Sequence, residues 1–231
     1  MVSFYCRTKS IDDSLIDALR SGYVQIVILG AGFDSRPYRI SNIERATVFE
    51  VDLPSTQEFK RARLKKRMKE LPSHVVFVPV DFKMQNLADQ LQDAGFRQEE
   101  KTFFIWEGVT EYLTPDAFDN TLLFIAMSAT DSRLVFTYID RGVIDGAPAF
   151  QEAQVLVEHV RSFGEPWNFG LVPAEVGDYL AARGLQLIEN LGAKEYQERF
   201  LQPIGRAVPL PDFVHVALAE VRGETLPPWS S

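Results

Sequence analysis

Cysteine is almost absent from this 231-residue chain: Cys6 is the only one, and there are only three histidines. A single thiol excludes an intrachain disulfide and any multi-cysteine metal site, and it accords with a reducing compartment. Basic residues are in deficit, 24 Lys and Arg against 32 Asp and Glu, for a net charge of −8. General attraction to nucleic acid or to an anionic membrane is therefore not expected. No apolar run approaches the ~18 residues of a spanning helix, and no basic start, apolar centre and small-residue cleavage site open the sequence. These absences lead us to expect a soluble, cytoplasmic protein without a membrane or nucleic-acid partner. A last absence concerns glycine. Gly30 and Gly32 begin a dinucleotide fingerprint, but its third glycine falls where the chain has Ser35, followed by Arg36 and Pro37. A nicotinamide pyrophosphate is thereby disfavoured.

What is present is a regular alternation of elements. A chain of this length buries roughly 70–75% of its unfolded surface, and we read residues 1–231 as one domain. Ser10 and Asp13 suggest the cap of a short helix over 10–21, closed by Gly22. Apolar runs predict strands over 25–29 and 46–52. A helix from Pro54 to about 70 follows, then a strand over 75–81, a helix over 85–94 and a strand over 102–108. Thr114 and Pro115 open a helix to about 127, ahead of a fifth strand over 132–140. Runs apolar on both faces, alternating with helices, mean a parallel sheet covered on both sides. Beyond Asp140 we expect a helix over 150–163, a loop with Trp167 and Phe169 that interrupts the sheet, and a helix over 173–183. Strands over 184–190 and 213–221 come last, joined without a strong helix and suited to an antiparallel edge pair. The tail 222–231 has the composition of a flexible end.

Three predicted strands end on carboxylates: Asp52, 20 residues beyond Gly32, then Asp81 and Glu107. In a parallel sheet these ends share one edge, the edge at which ligands bind. Asp52 suits a ribose diol, Asp81 an adenine amino group, and Glu107 an amine or sulfonium. Acidic residues also simply begin loops, but three in register with a glycine turn favour a ligand.

The linked motifs LGAGFDSRPYR, FEVDLPSTQEFKRARL, VPVDF and EGVTEYL, with YCRTKSIDD ahead of them, resemble the leucine carboxyl methyltransferase family of S-adenosylmethionine-dependent enzymes, including its bacterial small-molecule O-methyltransferase branch. The resemblance runs from Arg7 to about Ala217. It implies an α/β, Rossmann-like class I methyltransferase fold, with a seven-stranded, mostly parallel sheet, an antiparallel edge hairpin and helices on both faces. It implies S-adenosyl-L-methionine as cofactor, no metal, and a small-molecule acceptor. Arg7 would meet the methionine carboxylate and Glu107 its amine; Gly30, Ala31 and Gly32 would line the cofactor, Asp52 would hold the ribose, and Asp81 and Phe82 would flank adenine. Such a cofactor combines a carboxylate, an ammonium, a sulfonium and a diol, which an arginine and several carboxylates can answer. The family carries a longer helical region ahead of the segment matching Arg7, so a lid-deficient or noncatalytic cofactor-binding member is the alternative. A nicotinamide-dependent oxidoreductase is a more distant one.

Methyl transfer to a carboxylate needs no general base, whereas a hydroxyl acceptor profits from one. Tyr112 is the candidate on the acceptor side, with a core aromatic as the other reading. Of the histidines, His159 is the one that could serve as a base on the acceptor side, with an ordinary surface histidine on a helix as the favoured reading; His74 is expected to be exposed, and His215 is expected to be structural. Trp167 and Phe169 could wall an aromatic pocket or belong to the core, and Arg206 could pair with an acidic acceptor or be a surface residue. The run 60–69 has seven basic residues in ten; it reads as a solvated helix with a narrow apolar stripe through Phe59, Leu64 and Met68.

Overall fold

A computed structural model of the chain describes residues 2–81 and 85–223. Seven strands form one sheet: β1 (Gln25–Leu29), β2 (Thr47–Asp52), β3 (Val75–Pro79), β4 (Thr102–Trp106), β5 (Arg133–Ile139), β6 (Leu185–Leu191) and β7 (Val214–Val221). Their spatial order is β3-β2-β1-β4-β5-β7-β6. The first five strands pair in parallel, while β7 runs antiparallel to both β5 and β6. Strands β1 and β4 lie at the centre, and all five residues of each are buried. Their unbroken apolar runs are what a strand covered on both faces requires. One apolar layer gathers Leu29, Phe104, Trp106 and Phe118; the other gathers Ile11, Leu15, Ile26 and Phe103.

Nine helices cover the sheet among the described residues: α1 (Val2–Arg20), α2 (Arg36–Arg39), α3 (Pro54–Arg67), α4 (Leu87–Asp93), α5 (Pro115–Ala126), α6 (Arg141–Ile144), α7 (Gln151–Ser162), α8 (Val176–Ala181) and α9 (Ala193–Tyr196). Helix α1 begins eight residues earlier than Ser10 and Asp13 suggest. Ser10 is not its cap but an interior residue whose hydroxyl donates to the Arg7 carbonyl at 2.8 Å, a bond that a serine can make without ending a helix. Cys6, Ser10, Ile11, Leu15 and Ala18 form its buried stripe, and Gly22, at φ +83°, closes it as expected. Thr114 does cap α5, accepting from the Ala117 N–H at 3.2 Å.

Helix α3 corrects the expectation most sharply. Its buried residues are Gln57 and Lys60, while Phe59 is half exposed. The inward stripe is polar because β2 carries Glu50, fully buried, on the face that α3 covers. Lys60 Nζ lies 2.9 Å from Glu50 Oε2, and the Gln57 amide donates to the Glu50 and Val78 carbonyls. Displaced outward, Phe59 meets Phe33 edge to face at 5.7 Å under Arg63.

The Trp167 loop does not interrupt the sheet; it runs along the strand ends and makes one parallel bridge, Leu171 to Asp140. The connection from β6 to β7 also holds more helix than expected, with α9 continuing into a π-turn over Gln197–Leu201. Between β1 and β4 the direction of winding reverses, which opens a crevice at their carboxyl ends.

Candidate functional site

The turn after β1 is built for close approach. Gly30 has φ +65°, and a Cβ there would lie 2.4 Å from Val109 Cγ2, so both conformation and space demand glycine. Ala31 donates to the Val51 carbonyl at 2.9 Å, tying the turn to the end of β2. Gly32, at φ +38°, faces open space, with nothing nearer its would-be Cβ than the Gly30 carbonyl at 3.8 Å. Asp52, the last residue of β2, accepts from the Gly32 N–H at 2.5 Å with one oxygen and from the Leu53 N–H at 2.7 Å with the other. Carboxylate and turn are thus fixed to each other, with lone pairs left for a ligand. Asp81 stands just beyond β3, and its main-chain N–H donates to the Gln85 side chain at 3.0 Å; Phe82 lies outside the described residues.

Glu107 follows directly on β4 and is gripped from two sides, by Arg7 at 2.7 Å on one oxygen and Arg36 at 2.7 Å on the other. Arg36 also binds Asp34 and Asp12, each at 2.7 Å, and Arg39 binds Asp12 at 2.7 Å. Three arginines and three carboxylates, drawn from α1, the glycine turn, α2 and the end of β4, therefore form one charge-balanced network. Burial alone would disfavour the Arg36 cation, but Asp34, Glu107 and Asp12 outweigh it and raise its pKa above the ordinary value. Burial likewise opposes ionisation of Asp12, and Arg39 and Arg36 reverse this, holding its carboxyl below the usual range. A cavity of about 400 Å³ adjoins this network, lined by Arg7, Gly30, Ala31, Gly32, Asp34 and Glu107 among others.

Sequence reasoning singled out Arg7, the glycine turn, Asp52 and Glu107, and the fold brings these together; it missed Asp12, Asp34, Arg36 and Arg39. Asp34 and Arg36 stand within the glycine motif itself, where two charged residues opening a short helix were a readable signal. Asp12 pairs with residues 24 and 27 positions away, a contact that no local pattern announces.

On the other side of Glu107 a 3₁₀ turn, Thr110–Tyr112, carries the acceptor-side candidate. The Thr110 hydroxyl donates to the Thr137 carbonyl at 2.6 Å, and the Gly108 N–H donates to the Thr137 hydroxyl at 2.8 Å. Tyr112 is 37% exposed rather than a core aromatic. The Glu111 carbonyl accepts from the Asn168 N–H at 2.7 Å and from the Phe169 N–H at 3.2 Å, which holds the Trp167 loop against this turn. Phe169 is buried, its ring 4.5 Å from that of Phe118, and serves the core. His159 is exposed on α7, where it borders a surface hollow with Val155 and Leu156 away from the network. His215 is buried and stacked on Tyr138 at 5.1 Å, and burial lowers its pKa. His74 is partly buried rather than exposed, its Nε2 3.0 Å from the Pro37 carbonyl oxygen. Arg206 is an exposed residue beyond the π-turn.

Residues 1–126 match the model of the leucine carboxyl methyltransferase family, and this match covers more than half of the chain. The chain belongs to the leucine carboxyl methyltransferase family. Among relatives of this family member is YktD of Bacillus subtilis (strain 168), assigned by name to the S-adenosyl-L-methionine-dependent methyltransferases. It is 32% identical over 198 residues, 84% of this chain and 64% of its own. The present member thus spans just under two thirds of that relative's length. Its fold also matches solved structures of low identity. A protein of Thermobifida fusca YX assigned as a methyltransferase gives a TM-score of 0.64 at 16% identity, over 93% of this chain and 80% of its own. Magnesium protoporphyrin IX methyltransferase of Synechocystis PCC 6803, solved with bound SAH, gives 0.58 at 11% identity, over 94% and 83%. The fold is that of these class I methyltransferases.

Proposed function

We propose that this chain binds S-adenosyl-L-methionine and moves its methyl group to an oxygen, hydroxyl or carboxylate, of a small molecule. The observation that carries this reading is the meeting of Arg7 and Glu107 beside the Gly30–Gly32 turn, with Asp52 fixed to the Gly32 N–H. A neutral network accommodates a zwitterion by exchange: Arg7 turns from Glu107 to the ligand carboxylate, and Glu107, still held by Arg36, receives the ammonium. Asp52 offers its free lone pairs to the ribose diol, and the main chain at Gly30 and Gly32 lets the ligand lie close. Asp81 is the residue we assign to the adenine end. When bound, this cofactor supplies an electrophilic sulfonium methyl, so the protein's work is alignment and exclusion of water. The 3₁₀ turn and the Trp167 loop border the side from which an acceptor approaches.

Calorimetric titration with S-adenosylmethionine and S-adenosylhomocysteine, with NADH as control, tests this reading. Saturable binding of the first two is expected, weakened by about 1–3 kcal/mol in Asp52→Ala through loss of charge-assisted hydrogen bonds. Unchanged affinity in that variant removes Asp52 from the site, and absence of binding by the folded chain refutes the cofactor.

A further inference from the structure

Lys60 is buried although it carries a charge, and nothing in cofactor binding as proposed above calls for it. Its side chain is 5% exposed, and its Nζ lies 2.9 Å from Oε2 of Glu50, whose side chain is fully buried. The Tyr38 hydroxyl donates to the other Glu50 oxygen at 3.0 Å, and the Lys60 ammonium faces the Tyr38 ring at 5.7 Å. Nζ also donates to the Ala31 carbonyl at 3.4 Å. That bond is long, but its acceptor matters, because the Ala31 carbonyl and the Gly32 N–H are the two ends of one peptide group. The Gly32 N–H donates to Asp52 Oδ2 at 2.5 Å. One peptide is thus held at its oxygen by a buried ammonium and at its nitrogen by the carboxylate that ends β2.

What holds this peptide decides how Asp52 is presented. Gly32 has φ +38°, and a peptide that ends on glycine meets little steric resistance to rotation, so its orientation rests on its bonds. Its oxygen accepts from Lys60 and from the Asp34 N–H at 2.8 Å, which uses both lone pairs. The Asp34 N–H is neutral and belongs to the same loop. The ammonium is charged and is anchored outside the loop, by its own stem on α3 and by Glu50 on β2. A charged donor at the oxygen polarises the amide, and in a low-dielectric setting this makes its N–H a stronger donor to Asp52. Asp52 also accepts from the Leu53 N–H at 2.7 Å, but the Gly32 bond is the one that ties the carboxylate to the turn. We propose that Lys60 is a positioning residue for cofactor binding, acting through the Ala31–Gly32 peptide to fix the Asp52 carboxylate for the ribose diol. The inference rests on the cofactor reading above and extends it to a residue that is not among those lining the cavity beside the glycine turn. Glu50 has the complementary task of neutralising the ammonium, so that the turn gains a strong donor without a net charge behind it. Tyr38 braces Glu50 and has no bond to the peptide.

The test uses the full chain and a charge-neutral replacement, Glu50→Gln with Lys60→Met, which keeps an acceptor for Tyr38 and removes the donor to Ala31. Tyr38→Phe is the control, since it disturbs the same buried cluster and leaves the peptide untouched. With folding verified by thermal melting, calorimetry with S-adenosylhomocysteine should show binding at least tenfold weaker in the double variant and within twofold of wild type in Tyr38→Phe. Positioning of Asp52 also requires coupling: once Asp52→Ala has removed the carboxylate, the same double replacement should cost less than threefold. An equal loss in both backgrounds, or a loss in Tyr38→Phe as large as in the double variant, means that the cluster serves the turn only as structure and overturns the proposal. A second reading needs no ligand. The Gly32 amide, observed by ¹H–¹⁵N NMR, should move upfield and exchange with solvent at least tenfold faster in the double variant than in wild type; an unmoved resonance with unchanged exchange overturns the proposal whatever the affinities. Should the double replacement prevent folding, the reciprocal measurement decides: Asp52→Ala, which leaves the buried pair intact, should shift the Lys60 ammonium resonance, and an unshifted resonance refutes the link. Failure of S-adenosylhomocysteine to bind the wild type refutes the cofactor separately, while the Gly32 and Lys60 resonances still decide whether Lys60 holds the peptide.

Discussion

Gly30 shows how little freedom a single position of this site has. Its backbone is left-handed and its missing side chain is the space that Val109 occupies. Gly30→Ala should lower stability by about 1–3 kcal/mol, measured by denaturant unfolding, and Val109→Ala in the same chain should recover the steric part but not the conformational part. Glu111 makes a pH-dependent statement. Because its folded pKa lies above 4.5, its contribution to stability is complete below that pH and is lost as pH rises through the folded value. Glu111→Gln, which removes the buried charge, should therefore melt higher than wild type at pH 7, by about 1 kcal/mol. The two melting curves should converge as pH falls below 4.5; a gap that widens toward acid would show the pKa to be shifted the other way.

At the scale of elements, β2 and α3 form one unit behind the glycine turn. Glu50 accepts from the Tyr38 hydroxyl at 3.0 Å and pairs with Lys60, whose Nζ also lies 3.4 Å from the Ala31 carbonyl. Burial nevertheless dominates the Glu50 carboxyl and raises its pKa, with Lys60 opposing. Lys60→Met alone leaves a buried charge uncompensated, and we expect a loss of about 3–5 kcal/mol in chemical denaturation. Adding Glu50→Gln should restore most of it, and a double variant no better than the single would refute the coupling. The basic run 60–69 explains why sequence alone misjudged this helix: five of the six cations that α3 carries conform to a solvated face, and the sixth, Lys60, is turned inward by a carboxylate that β2 buries. The extent of α1 was missed for a related reason. Ser10 has the chemistry of a cap, and only the packing of Cys6, Ile11 and Leu15 against the sheet extends the helix past it.

The whole molecule joins these units through its crevice, so ligand binding should be felt globally. If S-adenosylhomocysteine binds the native state alone, 100 times its Kd adds about 2.7 kcal/mol to stability. A thermal melt should rise with ligand concentration accordingly, and a melt insensitive to ligand at concentrations that saturate calorimetrically would show that the unfolded chain binds as well. The surplus of acidic residues is spread around a site that is itself balanced, because Arg7, Arg36 and Arg39 answer Asp12, Asp34 and Glu107.

The parallel sheet, its central strands, the glycine turn and the carboxylates at three strand ends were legible from residue order, because apolar periodicity and glycine placement express local physics that operates along the chain. Only the tertiary structure decided that Glu107 is shared between two arginines, that Asp12 reaches Arg36 and Arg39, that Lys60 faces inward, and that Glu111 is buried with no ion pair among the described residues. These depend on which residues distant in sequence share one low-dielectric space, and a charge reveals its partner only when the fold has removed it from water.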